Sequence, residues 1–311
     1  MMRSLWALVV AAGRSDAFAS CAAARKLYGA DALTEETRML RAGRANVSHP
    51  LAFIHVPKTA GTTIHRLLGG GGAMQTVVNG TRCGKCVRVG GPCPCSLWHV
   101  PPRYLPRGVP SPYAGGDTFC VARDPVERIL SQWRMDGSRR NAQLGACRVM
   151  VARLAHRCGA AVSDCHVWPQ HEYVWDGDGL RTCAHVLTFD DLRDQFGRLM
   201  RAAGRNVALP PVTSPRSALH HGASSDAGLN ATVALMIRCV YKLDECLLFG
   251  HDIFAACSKQ DLSLDGWTRA CARPRPRVAP SKRLVRTASS VLHRHLHTRL
   301  TEPPRRVRAQ R

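Results

Sequence analysis

Lys58, Thr59, Thr62 and Thr63 cluster around Ala60 and Gly61, directly after the apolar run Phe53-Ile54-His55-Val56-Pro57. A lysine and three hydroxyls at the exit of a strand offer donors with no acid among them. A strand turning there into a helix also aims backbone N–H groups at the same spot. This is chemistry for holding an anion, and Gly61 reads as the point where a phosphate approaches the backbone closely. A second group follows about one α/β unit later. Residues 118–133 again run from an apolar strand into a helix, with Arg123 at the strand end, Asp124 as N-cap and Pro125 in the first turn. Ser131 lies eight positions after Arg123, about two helical turns along. Both can reach one phosphate if that helix packs back on its strand. Arginine suits the task because its planar fork binds phosphate through two hydrogen bonds.

The order of residues separates the first loop from the nucleotide-hydrolase loop, which ends on Gly-Lys-Ser/Thr. Here Lys58 comes first and Gly61 follows it. The run Phe-Ile-His-Val-Pro-Lys-Thr-Ala-Gly-Thr-Thr resembles the 5′-phosphosulfate loop of sulfotransferases that use 3′-phosphoadenosine-5′-phosphosulfate (PAPS). The strand-Arg123-Asp124-Pro125-helix-Ser131 arrangement resembles their 3′-phosphate site. Three later landmarks, Pro169-Gln170, Phe189-Asp190-Asp191-Leu192 and Tyr241…Asp244…Phe249-Gly250, resemble the Golgi carbohydrate sulfotransferases. That group includes the heparan and uronyl 2-O-sulfotransferases with their algal and fungal relatives. The resemblance spans about residues 50–252 and departs at Asp190, where relatives carry Glu. Thr188 with Asp191 also fits a capping box.

The resemblance implies sulfuryl transfer from PAPS, as co-substrate and without a metal, to a hydroxyl of a carbohydrate acceptor, polyanionic glycans included. The implied cofactor contacts are Lys58, Thr59, Ala60, Gly61, Thr62, Thr63, Arg123 and Ser131. Lys58 is the cation for the bridging oxygen on which charge builds as the S–O bond breaks. His99, in Trp98-His99-Val100-Pro101-Pro102-Arg103-Tyr104, is the candidate base. It falls between the two phosphate segments and resembles the Gly-His…Tyr region of the 2-O-sulfotransferases, and an imidazole suits the role near neutral pH. His171 and Glu172 are secondary candidates. His55 and His65 are rivals near the loop, although His55 alternates with Phe53 along a strand and reads as structural. Strand-loop-helix units with phosphate sites at strand ends imply an α/β, P-loop-like three-layer fold, its mainly parallel central sheet flanked by helices.

Composition bounds the surroundings. The chain has 311 residues and a formal charge of +22, and residues 273–311 carry twelve basic residues against one acid. The excess suits a polyanionic cofactor and acceptor. No aromatic residue follows Trp267, which removes a stacking platform for single strands, so no specific nucleic acid is expected. Residues 1–19 read as a signal peptide or short anchor, 20–47 as a linker, 48–255 as the domain with a Cys/Gly-rich insertion at 69–97, and 256–311 as a basic, mostly disordered tail. The N-terminus or the tail could touch a membrane surface. Fourteen cysteines favour the secretory pathway, in the Golgi lumen or membrane, with secretion as the alternative. Disulfides within the insertion are favoured over zinc for Cys83, Cys86, Cys93 and Cys95, and Cys120 reads as a small buried hydrophobe. Asn46, Asn79 and Asn230 lie in glycosylation acceptor patterns, Asn230 being the weakest because a continued helix would turn it toward the buried stripe. Two other classes stay open: a P-loop nucleotide kinase or hydrolase, and a non-catalytic polyanion-binding protein.

Overall fold

A computed structural model describes residues 18–43, 47, 51–68, 86–88, 94–105, 113, 116–135, 142–155, 163–176, 178–210 and 229–272. Residues 1–17 of the expected leader, Asn46, Asn79, most of the 69–97 insertion and the 273–311 part of the tail lie outside them.

Five strands occur among these residues: β1 (Ala52–Phe53), β2 (Cys86–Arg88), β3 (Pro94–Ser96), β4 (Thr118–Ala122) and β5 (His185–Thr188). The pair β2–β3 is an antiparallel hairpin, while β1, β4 and β5 form a parallel sheet in the order β1-β4-β5. Phe53 pairs with Phe119, and Ala122 with Thr188. Alternation along the central strand decides what lies on each face. Phe119 and Val121 pack with Phe53, Leu187, Phe196 and Leu199 on one side. Cys120 and Ala122 pack with Ile54, Val56, Tyr28 and Leu247 on the other. Both faces are therefore covered, as an all-parallel sheet requires, and every residue of β4 is buried.

Helices α1 (Cys21–Tyr28) and α2 (Ala30–Arg41) occupy the stretch expected as a linker. Ser20 caps α1 by accepting from the Ala23 N–H, and Gly29 turns between the helices at φ 57°. A disulfide from Cys21 to Cys246 fastens α1 to α9 (Lys242–Phe249), so this segment belongs to the fold. Helix α3 (Gly61–Leu67) follows β1, and α4 (Pro125–Met135) follows β4. The Asp124 carboxylate accepts from the N–H groups of Val126 and Glu127 at 2.9 and 3.0 Å, the N-cap its position implied.

A separate apolar cluster joins α4 to α5 (Ala142–Ala155), α8 (Ala231–Val240) and α11 (Leu264–Cys271) through Ile129, Trp133, Met150, Ile237 and Trp267. The Cys147–Cys271 bridge closes it. The folded unit thus reaches Ala272 rather than residue 255. Helices α6 (His171–Val174), α7 (Leu192–Ala202) and α10 (Phe254–Cys257) complete the described set.

Local expectations change in four places. Asn230 is not inside a helix: it caps α8, its side chain accepting from the Thr232 N–H at 2.7 Å. Asp191, not Thr188, takes the N-cap position of α7, and the Thr188 N–H goes to Gln195 instead of closing a capping box. Cys120 is not a free hydrophobe, because neighbouring strands bring it to Cys183. Cys95, expected to pair within the insertion, is bonded to Cys165. With Cys239–Cys257, five disulfides among the described residues fit an oxidising, secretory-type compartment. No described helix is long and apolar enough to cross a membrane.

Candidate functional site

Parallel neighbours end on the same edge of a sheet, so the segments after β1 and β4 emerge side by side. The Arg123 guanidinium closes the gap: its Nη1 donates to the Lys58 carbonyl at 3.3 Å. Two segments read separately in the sequence are thereby in contact. Lys58 and Ala60 adopt left-handed backbone, φ 71° and 73°, which folds the loop sharply before α3 begins. Thr59 is fully buried and donates its hydroxyl to the Val56 carbonyl at 2.7 Å, so that oxygen braces the loop from within. Thr62 and Thr63 are exposed. Lys58 Nζ reaches Met135 Sδ, at the end of α4, at 3.2 Å.

Gly61 serves a different purpose from the one expected. A Cβ built there would sit 2.0 Å from His55 Nε2. The space a side chain would need is taken by the imidazole, so packing demands glycine here before any ligand does.

Arg123 is held from behind by residues of the late landmarks. Its N–H donates to Gln170 Oε1 at 2.9 Å, and Gln170 Nε2 donates back to its carbonyl at 2.7 Å. The buried Asp244 carboxylate accepts the N–H groups of Gln170 and His171, both at 2.9 Å. Burial by itself would raise the Asp244 carboxyl, but the hydrogen bond from His171 holds it below the usual range. The Tyr241 hydroxyl donates to the Val167 carbonyl at 2.7 Å.

The Arg123 guanidinium stacks on Phe189 at 4.0 Å and pairs with Glu127 at 3.1 Å. Its Nε is buried without a hydrogen-bond partner, as is Arg134 Nη1. Both cations act on Glu127, whose carboxyl burial pushes up. Ser131 is 9% exposed and one turn beyond Glu127 on the same helix face, so an acid stands between the two expected phosphate contacts. Unpaired guanidinium N–H groups beside a lysine are the donor set an anion fits.

His99 is carried on a 3₁₀ turn (Leu97–His99) directly after β3. Its ring lies 5.0 Å from His55 and 4.6 Å from His166, both edge-on, while His55 lies 5.1 Å from His65. Since His55 covers Gly61, the base candidate stands beside the loop that bears Lys58. His99 Nδ1 lies 2.9 Å from Asp164 Oδ2. Burial first, then the electrostatic influence of His99, His65, His166 and Lys58, hold His55 well below the usual imidazole range. His65 is lowered by burial and by His99. Burial, then His99 and Lys58, bring His166 down to about 3. His55, His65 and His166 are thus all held toward the neutral form.

The secondary candidates have structural work. His171 bonds Asp244 through Nδ1 at 2.7 Å, and Glu172 accepts from the Tyr104 hydroxyl and from Trp168 Nε1 at 2.8 and 3.0 Å. Asp164 and His166 were not singled out from the sequence. The signal available was the Asp164-Cys165-His166 run just before the Trp168-Pro169-Gln170 landmark. Arg128, fully buried, donates to the carbonyls of His166 and Trp168 at 3.3 and 2.6 Å and fixes that segment. His99, Asp164 and His166 bring three ligand-capable atoms within 4.8 Å of one another. The Asp164 oxygens, however, already accept from Ser96 N–H, Ser96 Oγ and His99.

No protein-family model, no curated protein and no solved structure matches this chain.

Proposed function

We propose that this chain is a sulfotransferase moving a sulfuryl group from PAPS to a hydroxyl of a carbohydrate acceptor, on a P-loop-like arrangement of its α/β sheet. The observation that carries this reading is the hydrogen bond from Arg123 to the Lys58 carbonyl at 3.3 Å, which brings together the two segments whose residue types suit an anion. The loop from Lys58 to Thr63 would hold the 5′-phosphosulfate, and Arg123, with Ser131 once Glu127 yields, the 3′-phosphate. Sulfuryl transfer is driven by positioning and by stabilising charge on the bridging oxygen. Lys58 supplies that charge, and His99 takes the acceptor proton. The disulfides and the excess of basic residues suit a Golgi-lumenal or membrane-associated enzyme acting on glycans, anionic ones included.

The test is binding of adenosine 3′,5′-bisphosphate by calorimetry, followed by transfer of labelled sulfate from PAPS to a glycan panel. Arg123→Ala should weaken bisphosphate binding by about 1.5–3 kcal/mol, the value of a charge-assisted contact. Lys58→Ala should lower kcat far more than it raises the PAPS KM, because its contact strengthens only as charge develops. A wild-type protein that ignores the bisphosphate sinks the reading. Magnesium-dependent ATP turnover would then favour a kinase or hydrolase, and polyanion binding alone a non-catalytic module.

A further inference from the structure

His99 is gripped at two points. The Tyr173 hydroxyl donates to its carbonyl at 2.6 Å, and Asp164 Oδ2 meets its Nδ1 at 2.9 Å. Asp164 is itself held, since Ser96 donates its hydroxyl to Oδ2 at 2.8 Å and its N–H to Oδ1. Burial alone would raise the Asp164 carboxyl, but the hydrogen bonds from His99 and Ser96 keep it below the usual range. An ionised carboxylate only accepts, so Nδ1 of His99 is the nitrogen that donates, which leaves the lone pair of the neutral ring on Nε2. That is the tautomer a general base needs, and fixing it is what a carboxylate behind an imidazole achieves.

The backbone was bent to bring this acid in. Ser163, Asp164 and Cys165 have φ 54°, 59° and 62°, three successive L-residues in the left-handed region. Such a run persists only where its surroundings over-determine it. Here the Cys95–Cys165 disulfide ties the turn to β3, one residue before Ser96 and four before His99. The strand end that carries the imidazole and the turn that carries the carboxylate are cross-linked at their roots. His166, two residues further on, stands edge-on to His99 with its Nδ1 2.7 Å from Gln132 Oε1.

We propose that Asp164 is a positioning residue for His99, the two forming a carboxylate–imidazole dyad whose left-handed turn is fastened by the Cys95–Cys165 bridge. The catalytic consequence rests on the sulfuryl-transfer reading of the site. In that step the acceptor oxygen forms a bond to sulfur as its proton passes to His99 Nε2. The bond from sulfur to the bridging phosphate oxygen breaks, and its electron pair leaves on adenosine 3′,5′-bisphosphate. The Asp164 carboxylate stabilises the imidazolium until its proton goes to water.

The experiment uses the full chain as wild type, Asp164→Asn, Asp164→Glu and His99→Ala. Asp164→Asn should lower kcat by about 10²–10⁴-fold while leaving bisphosphate affinity unchanged. The acid limb of its kcat–pH profile should move to lower pH, because the imidazolium has lost its carboxylate. Asp164→Glu should recover part of the loss. Nitrogen NMR of the His99 ring, assigned with His99→Ala, reads the dyad without any activity: protonated Nδ1 in wild type, a gain of the Nε2–H form in Asp164→Asn. A loss of kcat with an unmoved acid limb and an unchanged tautomer overturns the proposal, as does unchanged kcat. One equivalent of zinc bound to the wild type and lost in Asp164→Asn overturns it too, in favour of a cation site at His99, Asp164 and His166. If wild type neither binds the bisphosphate nor transfers sulfate, the sulfotransferase reading has failed, and the ring nitrogens still decide the dyad. Should Asp164→Asn fail to fold, Asp164→Glu and Ser96→Ala carry the same two readouts, with smaller shifts in the same direction.

Discussion

Replacing Gly61 with alanine puts a methyl group where an imidazole already stands. The added Cβ would lie 2.0 Å from His55 Nε2, 2.2 Å from Cδ2 and 2.6 Å from Cε1. Relaxed carbon contacts are about 3.5–4.0 Å, so ring or loop must shift by about 1.5 Å. The ring has little room, being 8% exposed and bounded by Phe53, His65 and His99 at centroid distances of 5.8, 5.1 and 5.0 Å. Forcing a methyl group into such packing costs about 1–3 kcal/mol. At about 2–4 °C per kcal/mol for a domain of this size, Gly61→Ala should melt roughly 2–12 °C lower. His55→Ala is also destabilising on its own, since it removes a buried ring. In the double variant the new methyl enters space the ring has vacated, so the two losses should fall short of adding by about 1 kcal/mol or more. Denaturant titrations of the two single variants and the double give that coupling directly. An unchanged melt for Gly61→Ala, or strictly additive costs, would refute the claim that His55 is what requires glycine at this position.

Acid should destabilise the fold well before carboxylates protonate. Unfolded imidazoles titrate near 6.5, whereas burial holds His55 and His65 lower and brings His166 down to about 3. The unfolded state therefore takes up protons first, and the contribution of these rings, complete above about 6.5, drains away as pH falls toward about 3. Stability should decline by up to about 1.4 kcal/mol per pH unit for each such ring, and His166→Gln should flatten the slope. A flat stability profile between those limits would be inconsistent with buried neutral histidines. Glu127→Gln should tighten adenosine 3′,5′-bisphosphate by roughly two- to fivefold, the value of a partly exposed ion pair, by releasing Arg123. Weaker binding in that variant would mean Glu127 aims the guanidinium rather than competing for it.

The units that make up the site were legible in the residues. The apolar run Phe53 to Val56 is buried throughout and begins on β1, Thr118 to Ala122 is a buried strand, Asp124 caps α4 as its position implied, and the α8 stripe of Val233, Met236 and Ile237 is buried. The signals for these elements lie within a few residues of one another, so local patterning suffices to read them. The linker reading of residues 20–47 failed because the hold on α1 is the bond from Cys21 to Cys246, 225 positions away. The end of the domain was set too early for the same reason, since Trp267 and Cys271 find their partners on α5 and α8.

Long-range pairing also decided the site itself. Strand order, not either motif, brings Arg123 to Lys58 across 65 residues. Asp164 reaches His99 only because a left-handed turn and the Cys95–Cys165 bridge carry it there. Glycine at position 61 suggested room for a ligand, while folding filled that room with His55. By itself the sequence determined the strands, caps and donor types, because each depends on backbone preferences and side chains close along the chain. Which donors share one space, and which histidine is backed by an acid, depended on contacts between distant segments, whose closure no local pattern records.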